Sequence, residues 1–199
     1  MPTSTYLSLN FVTEKFFKTL GNCRTFLDIG AGFGRWGVLA REMGDIIRGR
    51  FNPAFWGLIT YAIEICPEYI EWYKLKDKYT FVYNADALSG IMELSDVFKK
   101  GRYFDFVIFG DVIEHFTKSN AIKLLEYCKK HIIKKHVILN IPLGKDWPQG
   151  GTAINSSEEH RSVWELEDVQ KVFKGWKQDF VILQDFKKRP YLSFYGERQ

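Results

Sequence analysis

Cysteine, net charge and long apolar runs are all scarce in this chain. Its three cysteines, Cys23, Cys66 and Cys128, lie far apart. An odd count with no C-x-x-C pair excludes a disulfide framework and a cysteine-based zinc site. The thiols are therefore expected to be reduced and mostly buried, in a cytoplasmic protein without a bound metal. No apolar run approaches the ~20 residues of a membrane span. The stretch MPTSTYLSLN at residues 1–10 lacks the basic region and apolar core of a signal peptide. The formal net charge of +4 is too small to demand nucleic acid as a partner. The nearest thing to a basic block, KKHIIKKH at 129–136, reads as a solvated helix end carrying His131 and His136. Repeats and low-complexity segments are lacking too.

What is present fits one globular domain spanning 1–199. Hydrophobic residues make up 46% of it and aromatic residues 17%, enough for a sizeable core. The aromatic excess is assigned to that core first, with Trp147, Trp164 and Tyr191 as members. Short apolar runs alternate with segments of helical period. Strands are expected at Arg24–Ile29, Leu58–Ile65, Tyr79–Tyr83, Phe104–Phe109 and His136–Ile141. Between them, Trp36, Leu39, Met43 and Ile47 mark one helix, and Pro67 opens a second with Tyr69, Ile70 and Tyr73. GIMELSDVF at 90–98 is a third; Ala121, Leu125, Cys128 and Ile132 stripe a fourth, N-capped by Thr117 or Ser119. Strands alternating with helices predict an α/β fold, with a doubly wound parallel sheet covered on both faces. Residues 1–23 read as a helical lead-in and 143–162 as a loop on the substrate side. VWELEDVQKVF at 163–173 reads as a helix. DFVILQDF and YLSFYG, joined only by KKRP, form an antiparallel hairpin.

The stretch FLDIGAGFGRWGVLA, residues 26–40, holds two glycine motifs in overlapping registers. Gly32, Gly34 and Gly37 spell the dinucleotide fingerprint G-x-G-x-x-G. Asp28, Gly30, Gly32 and Gly34 spell D-x-G-x-G-x-G. If the turn began at Gly32, Gly30 would sit inside a central strand, where glycine packs poorly. A turn beginning at Gly30 leaves a clean strand and puts Asp28 near its end. A carboxylate there is a poor neighbour for a pyrophosphate. It suits S-adenosylmethionine, which carries an ammonium and a sulfonium and no phosphate.

The D-x-G-x-G-x-G stretch resembles the first motif of class I S-adenosylmethionine-dependent methyltransferases. Later features resemble that family in order, over roughly 25–195. Glu64 closes the second strand, where the family's acid takes both ribose hydroxyls; Glu68 is the alternative one turn later. Asp86, in NADAL at 84–88, resembles the acid that contacts adenine. FDFVIFGDVIEHF at 104–116 resembles the fourth motif, with Asp111 to His115 beside the cofactor. The resemblance implies a Rossmann-like seven-stranded sheet of order 3-2-1-4-5-7-6. It also implies a cofactor site of Asp28, Gly30, Ala31, Gly32, Gly34, Glu64, Ile65, Asp86, Ala87, Leu88, Gly110, Asp111, Val112 and His115. The segment DIIRGRFNPAFWG at 45–57 departs from the family as an aromatic insertion.

Some roles stay open at this point. Asp28 either supports the ligand or bonds the turn, and Asp86, Asp111 and Glu114 either face the ligand or cap local structure. His115 and His160 are the candidate catalytic histidines. His160, in SSEEHRSVWELEDV, either contacts substrate or has a structural role, capping or packing against Trp164. The methyl acceptor is expected to be a small molecule or a glycan-borne group, attacked most plainly at oxygen. Gly110-Asp111-Val112-Ile113 stands where amino-methylating DNA and protein enzymes carry [D/N]-P-P-[Y/F], and no Pro-Cys pair offers the nucleophile of cytosine-C5 enzymes. Two rival readings remain. One is an NAD-dependent oxidoreductase using Gly32, Gly34 and Gly37. The other is a non-catalytic S-adenosylmethionine-binding protein forming a homodimer through residues 51–56.

Overall fold

A computed structural model of the chain describes residues 6–98, 101, 103–147 and 156–199. Seven strands form one sheet of order β3-β2-β1-β4-β5-β7-β6. They are β1 (Thr25–Ile29), β2 (Ile59–Glu64), β3 (Phe81–Asn84), β4 (Phe104–Gly110), β5 (Ile133–Pro142), β6 (Lys177–Gln184) and β7 (Pro190–Glu197). The first five run parallel; β7 is antiparallel to both β5 and β6. β1 and β4, at the centre, are buried along their whole length, as their unbroken apolar runs require.

Alternate residues of each central strand serve opposite faces. Leu27, Ile29, Val107 and Phe109 pack under α5 (Ala87–Val97), α6 (Lys118–His131) and α7 (Leu166–Val172). Phe26, Phe106 and Ile108 pack under α1 (Leu9–Thr19), α2 (Arg35–Gly44), α3 (Pro67–Trp72) and α4 (Leu75–Lys78). On that second face Phe16 of α1 meets Phe26 and Phe106 edge-on, with ring centroids 5.5 and 5.1 Å away. Trp164 and Tyr191 belong to the buried interior, and Trp147 lies tilted on Tyr191 at 5.8 Å.

Several local expectations need correction. Tyr79 precedes β3 instead of opening it, because its buried side chain is used elsewhere. Helix α5 starts three residues before GIMELSDVF, since the Asp86 carboxylate caps it by accepting the Leu88 and Ser89 amides. Thr117 holds the N-cap position of α6 but makes no side-chain capping bond. Val163–Glu165 are not helical; α7 begins at Leu166, where Asp168 accepts the Glu165 amide. His136 is not solvated: it lies buried on β5, its Nδ1 2.8 Å from the Tyr195 hydroxyl.

The stretch 45–57 is organised around one buried carboxylate. Asp45 accepts from Arg41, from Arg50 Nε at 2.6 Å and from the Gly57 amide at 2.8 Å. Phe51 and Phe55 point into solvent, while Trp56 stacks on the Arg41 guanidinium at 4.2 Å. Part of the 143–162 loop, residues 148–155, and residues 1–5 of the lead-in lie outside the described residues. Among the described residues no helix is long and apolar enough to cross a membrane.

Candidate functional site

The chain turns sharply where β1 ends. Gly30 has φ +72°, and a Cβ there would stand 2.3 Å from Val112 Cγ2. Both facts demand glycine. Gly34, also at positive φ, is the N-cap of α2, which begins at Arg35. The turn thus runs from Gly30 to Gly34, and Gly37 lies inside the helix. Four of the turn's five amides are already committed. Gly30 and Ala31 donate to the Ile63 carbonyl at 2.9 and 3.2 Å, and Gly34 donates to the Ala31 carbonyl at 2.7 Å. Gly32 donates to Glu64 Oε2 at 2.7 Å. Gly37 donates to the Tyr79 hydroxyl at 3.0 Å, and that hydroxyl donates to Asp28.

The carboxyl ends of β1 to β4 surround a cavity of about 280 Å³. This is where ligands bind in open α/β sheets. Of the expected site residues, Gly30, Ala31, Gly32, Glu64, Ile65, Asp86, Ala87, Gly110, Asp111, Val112 and His115 line it. Asp28, Gly34, Leu88 and His160 are not in the lining. Asp28 lies fully buried beneath the turn, bonded to Tyr79 and to none of the turn amides, and Leu88 is used as an α5 amide donor. Other lining residues were not anticipated, among them Phe33, Trp36, Tyr69, Asn120, Glu158 and Arg161. Tyr69 of α3 donates to Glu158 at 2.8 Å, roofing the cavity from the 156–158 helical turn. Only the aromatic excess hinted at Phe33, Trp36 and Tyr69. Arg161 and Glu158 carried no signal, because a distant stretch brings them in.

The acids of the site differ in state. Burial pushes Asp28 up to about 7, with the Tyr79 hydrogen bond opposing. Burial also raises Glu64, held back by the amides of Cys66, Gly32 and Ile65. Asp86 is lowered, chiefly by the Ser89 hydroxyl. Glu68, the fallback for Glu64, instead accepts from the Cys66 thiol at 3.2 Å.

The tip of β4 is the most constrained part. Asp111 has φ +56° and accepts the Tyr191 hydroxyl on both carboxylate oxygens at 2.8 Å. Such a conformation in a non-glycine residue is costly and needs support from its surroundings. Glu114 caps nothing. It is 1% exposed, and among the described residues neither carboxylate oxygen has a hydrogen-bond partner. Burial, followed by Asp111, drives it well above the usual carboxylate range. The Glu114 carbonyl accepts the Arg161 and Ser162 amides at 2.8 and 3.1 Å. Those bonds press His160 against His115, with ring centroids 5.1 Å apart. Burial lowers His115, and burial together with His115 lowers His160 to about 4. Both imidazoles therefore stand as neutral bases. Trp164 donates to Ser162 at 2.9 Å, so it is Ser162, not His160, that the tryptophan fixes.

No known family model matches the chain, and no curated protein sequence does. Solved structures do. A SAM-dependent methyltransferase from Archaeoglobus fulgidus superposes with TM-score 0.67 at 13% identity, over 96% of this chain and 93% of the other. A 1,6-didemethyltoxoflavin-N1-methyltransferase from Burkholderia thailandensis, with 1,6-didemethyltoxoflavin and S-adenosylhomocysteine bound, gives TM-score 0.65 at 14% identity, over 96% of this chain and 78% of that one. A protein from Rhodobacter sphaeroides that carries the name of a Zn-dependent alcohol dehydrogenase gives 0.58 at 14% identity, over 94% and 88%. At such identities the likeness is one of fold, and the sheet order is that of the class I methyltransferase fold. Fold does not fix chemistry, so the site must decide it.

Proposed function

We propose that this chain is an S-adenosylmethionine-dependent methyltransferase acting on a small-molecule or glycan-borne acceptor, most plainly at oxygen. One observation carries the cofactor assignment. The amides of Gly30, Ala31, Gly32, Gly34 and Gly37 all have partners inside the protein. A diphosphate needs such amides free and pointing at it. Here Glu64 holds the Gly32 amide, and Asp28 adds a second buried carboxylate below. With those amides taken and two acids at hand, the turn suits a nucleoside without phosphate better than a diphosphate. The same observation counts against the NAD-dependent oxidoreductase reading.

The residues present fit the cofactor. Glu64, at the end of β2, would take the ribose hydroxyls, and Asp86 the adenine. The backbone of the Gly30–Gly34 turn and of Gly110–Val112 would flank the remainder. Bound there, S-adenosylmethionine supplies a methyl group on a sulfonium with a neutral leaving group. The protein's work is then alignment and exclusion of water. Val112 and the Tyr69–Glu158 roof close the cavity over the turn, and His115 stands in the wall beside the space an acceptor would take. The 17% aromatic content supplies flat walls such as Phe33, Trp36 and Phe116.

The test is thermal unfolding with S-adenosylhomocysteine and, separately, with NADH. Ligand at 100 times its dissociation constant adds about 2.7 kcal/mol of stability. Stabilisation by S-adenosylhomocysteine, lost in Glu64→Ala and Gly32→Val, is expected. Stabilisation by NADH alone would overturn the reading. Turnover against phenols, sugars and carboxylates then separates an enzyme from a binding protein.

A further inference from the structure

Glu114 presents a problem that hydrogen bonding in the protein does not solve. The residue is 1% exposed, and both carboxylate oxygens are unpartnered among the described residues. A buried carboxyl without a partner is destabilising whether ionised or protonated, and buried charges are ordinarily paired or bound to metal. Two imidazoles stand beside it, and the Asp111 carboxylate, itself bonded to Tyr191, lies near enough to oppose its ionisation. A carboxylate oxygen of Glu114, a ring nitrogen of His115 and a ring nitrogen of His160 all lie within 4.8 Å of one another.

His115 carries a second mismatch. Its Nδ1 lies 3.2 Å from the Glu159 carbonyl and its Nε2 3.1 Å from the Asp111 carbonyl. A neutral imidazole has one N–H. It can satisfy one of these carbonyls, and its other nitrogen then sets a lone pair against a lone pair. Either a second proton, or a metal ion reached by turning the ring from that carbonyl, removes the conflict. The first nitrogen would keep its carbonyl, the usual arrangement behind a metal-bound histidine.

We propose that Glu114, His115 and His160 bind a divalent transition-metal ion whose open coordination position faces the cavity and takes a hydroxyl of the acceptor. Two imidazoles and one carboxylate suit Zn²⁺, Mn²⁺, Fe²⁺ or Co²⁺, and not the all-oxygen preference of Ca²⁺ or Mg²⁺. Bonds of about 2.1 Å in a tetrahedral site put ligand atoms roughly 3.4 Å apart. Closing from within 4.8 Å requires the three side chains to move together and one His115 nitrogen to leave its carbonyl. The backbone already holds the pieces together, since the Arg161 and Ser162 amides bind the Glu114 carbonyl on either side of that junction. Three protein ligands leave room for an exogenous one, and His115 is itself part of the cavity wall. A hydroxyl bound there would be oriented and acidified, its proton passing to solvent. The ion site stands on the geometry of these three side chains. The acceptor class rests on the methyl-transfer reading.

The experiment uses the full chain, freed of metal by chelator dialysis. Zn²⁺ binding is followed by calorimetry, and Co²⁺ binding by its visible absorption. One ion per chain is expected, with affinity falling roughly 10–100-fold or more in both Glu114→Gln and His160→Ala. Circular dichroism establishes that each variant is folded, and Glu114→Gln keeps the shape of the buried side chain if His160→Ala is not. No uptake of either ion, or uptake that both folded variants leave unchanged, overturns the site. Stabilisation by S-adenosylhomocysteine is read on the same samples. Ion uptake without it keeps the metal site and removes the methyl-transfer reading; the reverse outcome removes the metal site alone.

Discussion

Gly37 is a packing residue whose partner is Tyr79. A Cβ at Gly37 would stand 2.2 Å from Tyr79 Cζ. Its amide, one of the unpaired donors of the first turn of α2, is satisfied by the Tyr79 hydroxyl at 3.0 Å. The last glycine of the apparent dinucleotide fingerprint therefore exists to admit a tyrosine ring.

Gly37→Ala tests this. Alanine ordinarily favours a helix over glycine by about 1 kcal/mol, and the φ at Gly37 is not positive. Propensity thus predicts stabilisation. The ring contact predicts the opposite, a loss of roughly 1–3 kcal/mol from overpacking. Urea unfolding decides the sign, and a more stable variant would refute the packing role.

Tyr79→Phe keeps the ring and removes the hydroxyl. Asp28 Oδ1 already lacks a partner. The variant would strip Oδ2 as well and orphan the Gly37 amide. A loss of about 1–3 kcal/mol is expected, together with weaker binding of S-adenosylhomocysteine. Unchanged unfolding and unchanged binding would show that the relay has no structural role.

Asp28 should leave a signature in the pH dependence of stability. Unfolded, it ionises near its ordinary 3.8; folded, burial holds the proton to about 7. Between those values the unfolded chain has given up a proton that the folded chain keeps. Stability therefore falls as pH rises through the window and levels off above it, a drop of a few kcal/mol at most. Asp28→Asn removes this titration and should lessen the fall in melting temperature between pH 5 and pH 8, the buried Glu64 and Glu114 supplying the remainder. A parallel decline in variant and wild type would exclude Asp28 as its source.

Asp45 anchors the aromatic segment. Its side chain is fully buried, with Arg41 90% buried beside it. Asp45→Ala leaves the Arg41 charge buried without its carboxylate, at a cost of about 3–5 kcal/mol. Arg50, with 34% of its side chain exposed, is screened by solvent, so Arg50→Ala should cost about 1 kcal/mol or less. Equal losses in the two variants would mean that the segment is not held by Asp45.

The architecture was legible because its signals are local. TFLDI stops at a glycine, FDFVIF is apolar on both faces, and KKRP is too short to join anything but antiparallel neighbours. Each can be read from adjacent residues, and each fixed an element to within a few positions. Where such readings failed, a long-range partner had intervened. Tyr79 left its strand for Asp28, and His136, among lysines that suggested solvent, found Tyr195 across the sheet.

The sequence alone settled the order of strands and helices, the start of the turn at Gly30 and the acids at the strand ends, because backbone geometry and hydrophobic period are properties of neighbouring residues. Only the tertiary structure decided what those acids touch. It placed Asp28 beneath the cavity instead of in its wall, and Glu64 on the Gly32 amide. It also left Glu114 unpartnered beside two histidines that lie 45 positions apart in the chain. Hydrogen bonds and desolvation depend on distance in space, and at that separation along the chain spacing carries no information about it.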